Sequence, residues 1–184
     1  MSERVLVTGA AGTVGGFVIE TLLRRDYRVI ACDLPGTNLP PGIAEDERVE
    51  IRRGDLTDLG FALDAVRGAD HVIHLAAVLD IARSYEELEP VNVDAVRYLY
   101  EGARQQDVGR FVFFSSGSIY RKSSSPLTET SPLEPESAYE QTKVDAEAYL
   151  SRRLSDGPEV VIIRPSMIYG PRQRYLAAKF MVSP

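Results

Sequence analysis

Three polar side chains late in the sequence have the types and spacing that proton transfer requires. Tyr139 and Lys143 are four residues apart, which puts them on one face of a helix. Ser116 precedes them, just past the apolar run Phe111-Val112-Phe113-Phe114. A phenol with an ordinary pKa of about 10 is a poor base at neutral pH. A nearby ammonium and a second positive group favour the phenolate. Lowering the pKa by about three units takes roughly 4 kcal/mol of differential interaction, within reach of two close positive charges in a partly desolvated site. Ser116 would hydrogen-bond the carbonyl or hydroxyl being transformed, and Tyr139 would take or give its proton. Tyr175 and Lys179 repeat the spacing, but no serine-bearing strand end precedes them at a comparable distance.

The second positive group is supplied by what the N-terminal glycines would hold. Thr8-Gly9-Ala10-Ala11-Gly12-Thr13-Val14-Gly15 follows the apolar run Val5-Leu6-Val7 and leads into a helical pattern. A helix N-terminus offers free N–H groups and partial positive charge to a pyrophosphate, and glycine lets the backbone approach it closely. The spacing is Gly-x-x-Gly-x-x-Gly, and no Gly-Lys-Ser/Thr follows, which argues against a nucleoside triphosphatase. Asp33 ends the second apolar run. A carboxylate there accepts ribose hydroxyls and repels a 2′-phosphate, and no arginine follows it directly, so the expected cofactor is NAD rather than NADP. Its nicotinamide would exchange the hydride. Asp55 and Leu56 would bracket the adenine, or Asp55 would be a helix N-cap. His71 and His74, with no clustered carboxylate or cysteine, read as core or strand-end residues rather than metal ligands.

The elements that must position these groups alternate along the chain. Strands are expected at Val5–Val7, Arg28–Cys32, Val49–Arg53, His71–Leu75, Phe111–Ser115 and Val160–Arg164. Helices are expected from Phe17 to Arg25, from Gly54-Asp55-Leu56-Thr57-Asp58 to about Arg67, over about Pro90 to Gln106, and from Ser137 to about Leu154. Ser137 with Glu140 forms a capping box for the last of these. Tyr98, Leu99 and Tyr100 read as helix packing, and Cys32 as a small core residue. Near-continuous apolar strands between helices imply an α/β, Rossmann-like, doubly wound parallel sheet of about six strands, with ligands beyond the strands' carboxyl ends.

At 184 residues the chain is expected to be one domain with a full core. A net charge of −6 argues against a nucleic-acid or anionic-membrane surface. One cysteine cannot form an internal disulfide, and the first residues contain no apolar run long enough for a signal peptide or span, so a cytoplasmic setting is expected.

Together these residues resemble the extended short-chain dehydrogenase/reductases, the NAD-dependent epimerase/dehydratase group. Thr8 to Gly15 is similar to the group's Thr-Gly-x-x-Gly-x-x-Gly loop, Gly54-Asp55-Leu56 to its adenine segment, and His74-Leu75-Ala76-Ala77 to its fourth-strand segment along the cofactor. Asn92 is similar to a helix asparagine supporting the active site, Phe114 to Tyr120 to the serine segment, and Arg164 to Pro171 to a segment closing over the nicotinamide. The resemblance implies a Ser116, Tyr139, Lys143 triad. It places the cofactor against Gly9, Gly12, Thr13, Val14, Gly15, Asp33, Asp55, Leu56, Leu75, Ala76, Ala77, Asn92, Tyr139, Lys143, Pro165 and Ile168. Dehydratases of the group carry an Asp-Glu pair after the active-site hydroxyl residue. Gly117 and Ser118 stand there, which favours an epimerase or simple dehydrogenase/reductase.

Relatives normally continue past the Tyr-Gly-Pro segment to build most of the substrate pocket. The expected organisation is a cofactor-binding domain over 1–171 and the start of a truncated substrate-binding region over 172–184, where the C-terminal substrate domain is largely absent. Apolar Leu176, Phe180, Met181 and Val182 would patch an open sheet edge or pack on a partner. The implied activity is NAD-dependent oxidation or epimerisation of a sugar, nucleotide-linked, with a non-catalytic NAD-binding module as the alternative. A weaker third reading is a dimerising regulatory protein. A homodimer through the Pro90–Gln106 and Ser137–Leu154 helices is expected from the resemblance.

Overall fold

Glycine, proline and Asx residues punctuate the apolar runs, and the chain changes element at each such break. The computed structural model describes residues 2–153 and 157–170. In chain order the elements are β1 (Arg4–Thr8), α1 (Thr13–Arg24), β2 (Arg28–Asp33), β3 (Val49–Arg53), α2 (Leu59–Ala65), β4 (His71–His74), α3 (Tyr85–Glu89), a π-helical stretch (Pro90–Asp94) and α4 (Ala95–Gln105). Then come β5 (Arg110–Phe114), a 3₁₀ turn (Gly117–Ile119), α5 (Ala138–Ser151) and β6 (Glu159–Ile163).

The strands form one parallel sheet in the order β3-β2-β1-β4-β5-β6. The order reverses between β1 and β4, and ligands of such sheets bind at that reversal. Successive side chains point to opposite faces. Leu6, Ile30, Val72, Phe111 and Phe113 therefore pack on α2, α4 and α5, while Val5, Val7, Val29 and Ala31 pack on α1 with Leu39 and Ile43. Full burial of each such side chain is worth roughly 1.5–3 kcal/mol, so this two-sided core fixes strand register firmly.

The structure departs from the sequence expectations in four places. The helix expected to open at Gly54–Asp58 begins at Leu59: the Asp58 carboxylate accepts the Phe61 N–H at 2.7 Å as its N-cap. Asp55 instead accepts the Thr57 N–H, so capping falls to Asp58. The long helix around Pro90–Gln106 is composite. It is preceded by α3 and widens into the π-helical stretch where Pro90 lacks a donor and its ring would crowd a regular turn. β3 is an edge strand with exposed Glu50 and Ile51, not an apolar run buried on both faces. On the α1 side, no described helix covers β5 and β6; Val112 is half-buried and Ile163 is exposed. α5 has the expected capping box, and its expected end near Leu154 lies outside the described residues.

Candidate active site

β1 ends at Thr8, and the loop to α1 is shaped by close backbone contacts. Gly9 has φ +67°, and a side chain there would place its Cβ 2.8 Å from the Ala76 nitrogen beyond β4. A Cβ at Gly15 would overlap the carbonyl oxygens of Gly9 and Ala10. α1 starts at Gly12 with no side-chain cap, whereas α2 and α5 are capped by Asp58 and Ser137. Gly12 thus brings no side chain to the first turn of α1, which keeps this helix start open to close approach.

Asp33, at the end of β2, braces this loop. One carboxylate oxygen accepts the Ala11 N–H at 2.7 Å and the other the Leu34 N–H at 2.8 Å. Each keeps a lone pair for a further donor. Asp33 lies in register with Arg53 of β3, whose guanidinium donates to Thr37 Oγ1 at 2.7 Å. This cation reaches Asp33 from the neighbouring strand rather than from the residues that follow it. Leu56 is buried in the core.

Thr8 joins the loop to β4. Its Oγ1 accepts the N–H groups of Leu75 and Ala76, both at 3.3 Å, and lies 2.7 Å from His74 Nδ1. The hydroxyl hydrogen is thus assigned to Nδ1, leaving the ring proton on Nε2, which is buried without a hydrogen-bond partner among the described residues. Burial, with Lys143 nearby, pushes the His74 pKa down to about 3, so the ring is neutral. His74 is a core residue, as its sequence setting implied. Cys32 is likewise fully buried, its pKa pushed up to about 12 by burial. Among the described residues no three His, Cys, Asp or Glu side chains converge as metal ligands, and no helix is long and apolar enough to cross a membrane.

The second half of the site lies beyond β5 and β6. Lys143 is only 2% exposed. Its Nζ donates to the Phe114 carbonyl at 3.0 Å, 5.0 Å from the Phe113 ring centroid and 5.8 Å from that of Tyr139. Burial lowers its pKa to about 8, opposed by Glu147. Burial, with a smaller contribution from Glu140, raises Tyr139 to about 12. The protein's own groups therefore hold Tyr139 as a phenol, and Lys143 alone does not overcome burial. The Tyr139 hydroxyl makes no hydrogen bond to a described residue. Ser116 precedes the 3₁₀ turn, with Oγ 2.8 Å from Ser118 Oγ and accepting the Ser118 N–H at 3.2 Å. The Ser115 and Gly117 N–H groups donate to the Ile163 and Pro165 carbonyls at 2.8 and 2.7 Å. These bonds seat the serine segment beside the segment that follows β6.

Asn92 is buried in the π-helical stretch, and its amide is fully engaged. Its oxygen accepts the Val78 N–H at 2.8 Å, and Nδ2 donates to the Val78 carbonyl at 3.0 Å and Thr142 Oγ1 at 3.2 Å. It thereby ties the chain beyond β4 to α5. Leu75, Ala76 and Ala77 are half-buried, and Ile168 is exposed. Tyr175, Lys179 and the apolar residues Leu176, Phe180, Met181 and Val182 lie outside the described residues.

Sequence reasoning missed one cluster. Glu147, 5% exposed, accepts three hydrogen bonds from Arg164, whose guanidinium also donates to the Tyr120 hydroxyl. Its signal was available, since Glu147 extends the Tyr139–Lys143 spacing by another four residues.

Comparison with known proteins accounts for this arrangement. Residues 5–182 match the model of the NAD dependent epimerase/dehydratase family. An uncharacterized UDP-glucose epimerase of Bacillus subtilis is 33% identical over 187 residues, covering 93% of this chain and 58% of that protein. A 3 beta-hydroxysteroid dehydrogenase/Delta 5→4-isomerase of Mycobacterium tuberculosis is 32% identical over 192 residues, covering 98% of this chain and 51% of that protein. The crystal structure of the Thermus thermophilus UDP-glucose 4-epimerase in complex with NAD superposes with a TM-score of 0.82 at 35% identity, covering 92% of this chain and 57% of that one. The chain thus spans between half and three-fifths of the length of these relatives. The family match over nearly the whole sequence, the shared sheet and the glycine loop at its switch point agree: the chain belongs to the NAD dependent epimerase/dehydratase family.

Proposed function

We propose that this chain is the cofactor-binding and proton-transfer part of an NAD-dependent oxidoreductase or epimerase acting on a hydroxyl or keto group of a nucleotide-linked sugar. The observation that carries the reading is the meeting, on one sheet, of an uncapped glycine-shaped helix start with a buried Lys143 beside Tyr139. The residues fit NAD. The glycine loop leaves room where side chains would collide, and Asp33 keeps lone pairs for ribose hydroxyls. Gly9, Gly12, Thr13, Val14 and Gly15 would hold the pyrophosphate. Asp55 and Leu56 would flank the adenine, and Leu75 to Ala77, Pro165 and Ile168 would line the path to the nicotinamide. Bound NAD supplies hydride transfer at the sugar carbon.

Each residue of the chain then has a distinct task. Ser116 Oγ, which shares its hydrogen bond with Ser118, would turn to the substrate oxygen. Tyr139 would exchange that oxygen's proton. Lys143, held by Phe114, would keep positive charge beside the phenol and favour its ionised form. Asn92 would act indirectly, by fixing α5 through Thr142. In this reading residues 1–171 are the cofactor unit and 172–184 begin the substrate region. Homodimerisation through α4 and α5 and a cytoplasmic setting belong to it as well.

The spread of relatives from sugar epimerase to steroid dehydrogenase, and their greater length, favour a second reading for the chain by itself: NAD held without turnover. Calorimetric titration with NAD, followed by turnover assays on a panel of UDP-sugars, separates the two. Conversion that falls at least roughly hundredfold in Tyr139→Phe, with NAD affinity retained, supports the first. Binding without conversion supports the second, and no NAD binding overturns both.

A further inference from the structure

Helix α5 carries a third ionisable residue on the face that bears Tyr139 and Lys143. Glu147 follows Lys143 by four residues, the spacing at which a lysine and a glutamate on a helix pair readily. Both are nearly fully buried, Lys143 at 2% and Glu147 at 5% exposure. Yet they do not share a hydrogen bond. Lys143 Nζ donates to the Phe114 carbonyl, while Glu147 is taken by Arg164, Nε to Oε1 at 2.9 Å and Nη2 to Oε2 at 2.5 Å. Arg164 Nη1 donates to the Tyr120 hydroxyl at 2.6 Å and the Glu129 carbonyl at 3.0 Å, which fixes the guanidinium from the other side. With this many partners the guanidinium is fixed against the carboxylate and keeps it paired.

We propose that Arg164 is a positioning residue that occupies the Glu147 carboxylate, so that Lys143 stays on the Phe114 carbonyl and beside Tyr139 rather than turning one helical turn away. The proposal rests on the Tyr139–Lys143 reading above and deepens it. The groups facing Lys143 are Tyr139 and Glu147 on its own helix, neutral His74 on β4 and the Phe114 carbonyl on β5, with Arg164 behind Glu147. Among these, Glu147 is the one anion able to compete for the ammonium. Without Arg164 a buried carboxylate would stand unpaired, and an unpaired buried charge takes the nearest cation. Lys143 would then leave the carbonyl, and the phenolate of Tyr139 would lose its neighbour.

The test follows the ionisation of Tyr139 in the NAD-saturated chain, by ultraviolet difference absorbance after subtraction of the same protein carrying Tyr139→Phe. Arg164→Met is expected to raise the midpoint by about one unit, a tenfold loss of phenolate at a given pH. Adding Glu147→Gln to Arg164→Met removes the competing anion and is expected to return the midpoint to within about 0.3 unit of the parent. Arg164→Lys keeps a cation for Glu147 and is expected to match the parent. A double variant as shifted as Arg164→Met, or an Arg164→Met protein with an unshifted midpoint, overturns the proposal. Should Arg164→Met fail to fold by circular dichroism, a shift of about one unit in Arg164→Lys or in the double variant overturns it equally. Lys143→Met separates the layers. If it leaves the midpoint unchanged, the Tyr139–Lys143 reading fails; if it raises the midpoint and Arg164→Met does not, only the role of Arg164 fails.

Discussion

At the β1–α1 turn, the chain from Thr8 to Gly15 is shaped by backbone contacts that glycines permit, braced by Asp33 at the end of β2 and by the backbone just beyond β4. At the β5–α5 corner, the serine segment, Tyr139 and Lys143 meet only because Phe114, Pro165, Glu147 and Arg164 hold distant segments together. In the proposed function the first region would hold the cofactor's phosphates, and it has few side chains to titrate. The second would exchange a proton, and it depends on charges removed from water. The turn is held mainly by backbone groups, whereas the corner is held by charged and polar side chains, each of which can be removed by one substitution.

This contrast predicts that the two regions can be damaged separately. Gly15→Val, whose side chain would strike the Gly9 and Ala10 carbonyls, is expected to weaken NAD binding roughly hundredfold, about 2.7 kcal/mol. It should leave the Lys143–Phe114 corner folded; calorimetry reads the first effect and circular dichroism the second. Asn92→Ala strips partners from the Val78 backbone and from Thr142, and is expected to cost about 2 kcal/mol in urea unfolding. Its effect on NAD affinity should be smaller than that of Gly15→Val, since it loosens the joint between the regions rather than the phosphate turn.

The smallest expected effect is a pH slope. His74 titrates near 3 in the fold against an ordinary 6.5, so the unfolded chain binds more protons between those values. The stability associated with neutral His74 is fully present above about pH 6.5 and is lost as pH falls toward 3, by up to about 1.4 kcal/mol per unit. Unfolding curves across that range should flatten in His74→Leu. An unchanged slope would place the acid sensitivity elsewhere.

The strands were legible because their apolar runs are short and bounded by Gly, Pro and Asp, and the capping box at Ser137 and Glu140 announced α5 directly. The π-helical stretch at Pro90–Asp94 was not, because apolar periodicity does not report whether a turn closes one residue late. Glu147 and Arg164 were not recognised as partners because seventeen residues and a strand separate them, and only tertiary folding brings them within bonding distance. Arg53 beside Asp33 is a similar case, supplied by strand register rather than by sequence order. The burial of Tyr139 changed the chemistry most. Spacing suggested a phenol whose ionisation would need two close positive charges, but it did not report the desolvation that holds Tyr139 near 12.

In the proposed function, charge arriving at the switch point turns Tyr139 from a phenol into a proton acceptor. The decisive measurement is the Tyr139 ionisation midpoint without and with saturating NAD, each corrected with the Tyr139→Phe protein. A midpoint that falls from about 12 by at least about two units on saturation is the predicted result. A midpoint that stays where it was, with NAD demonstrably bound, would contradict it.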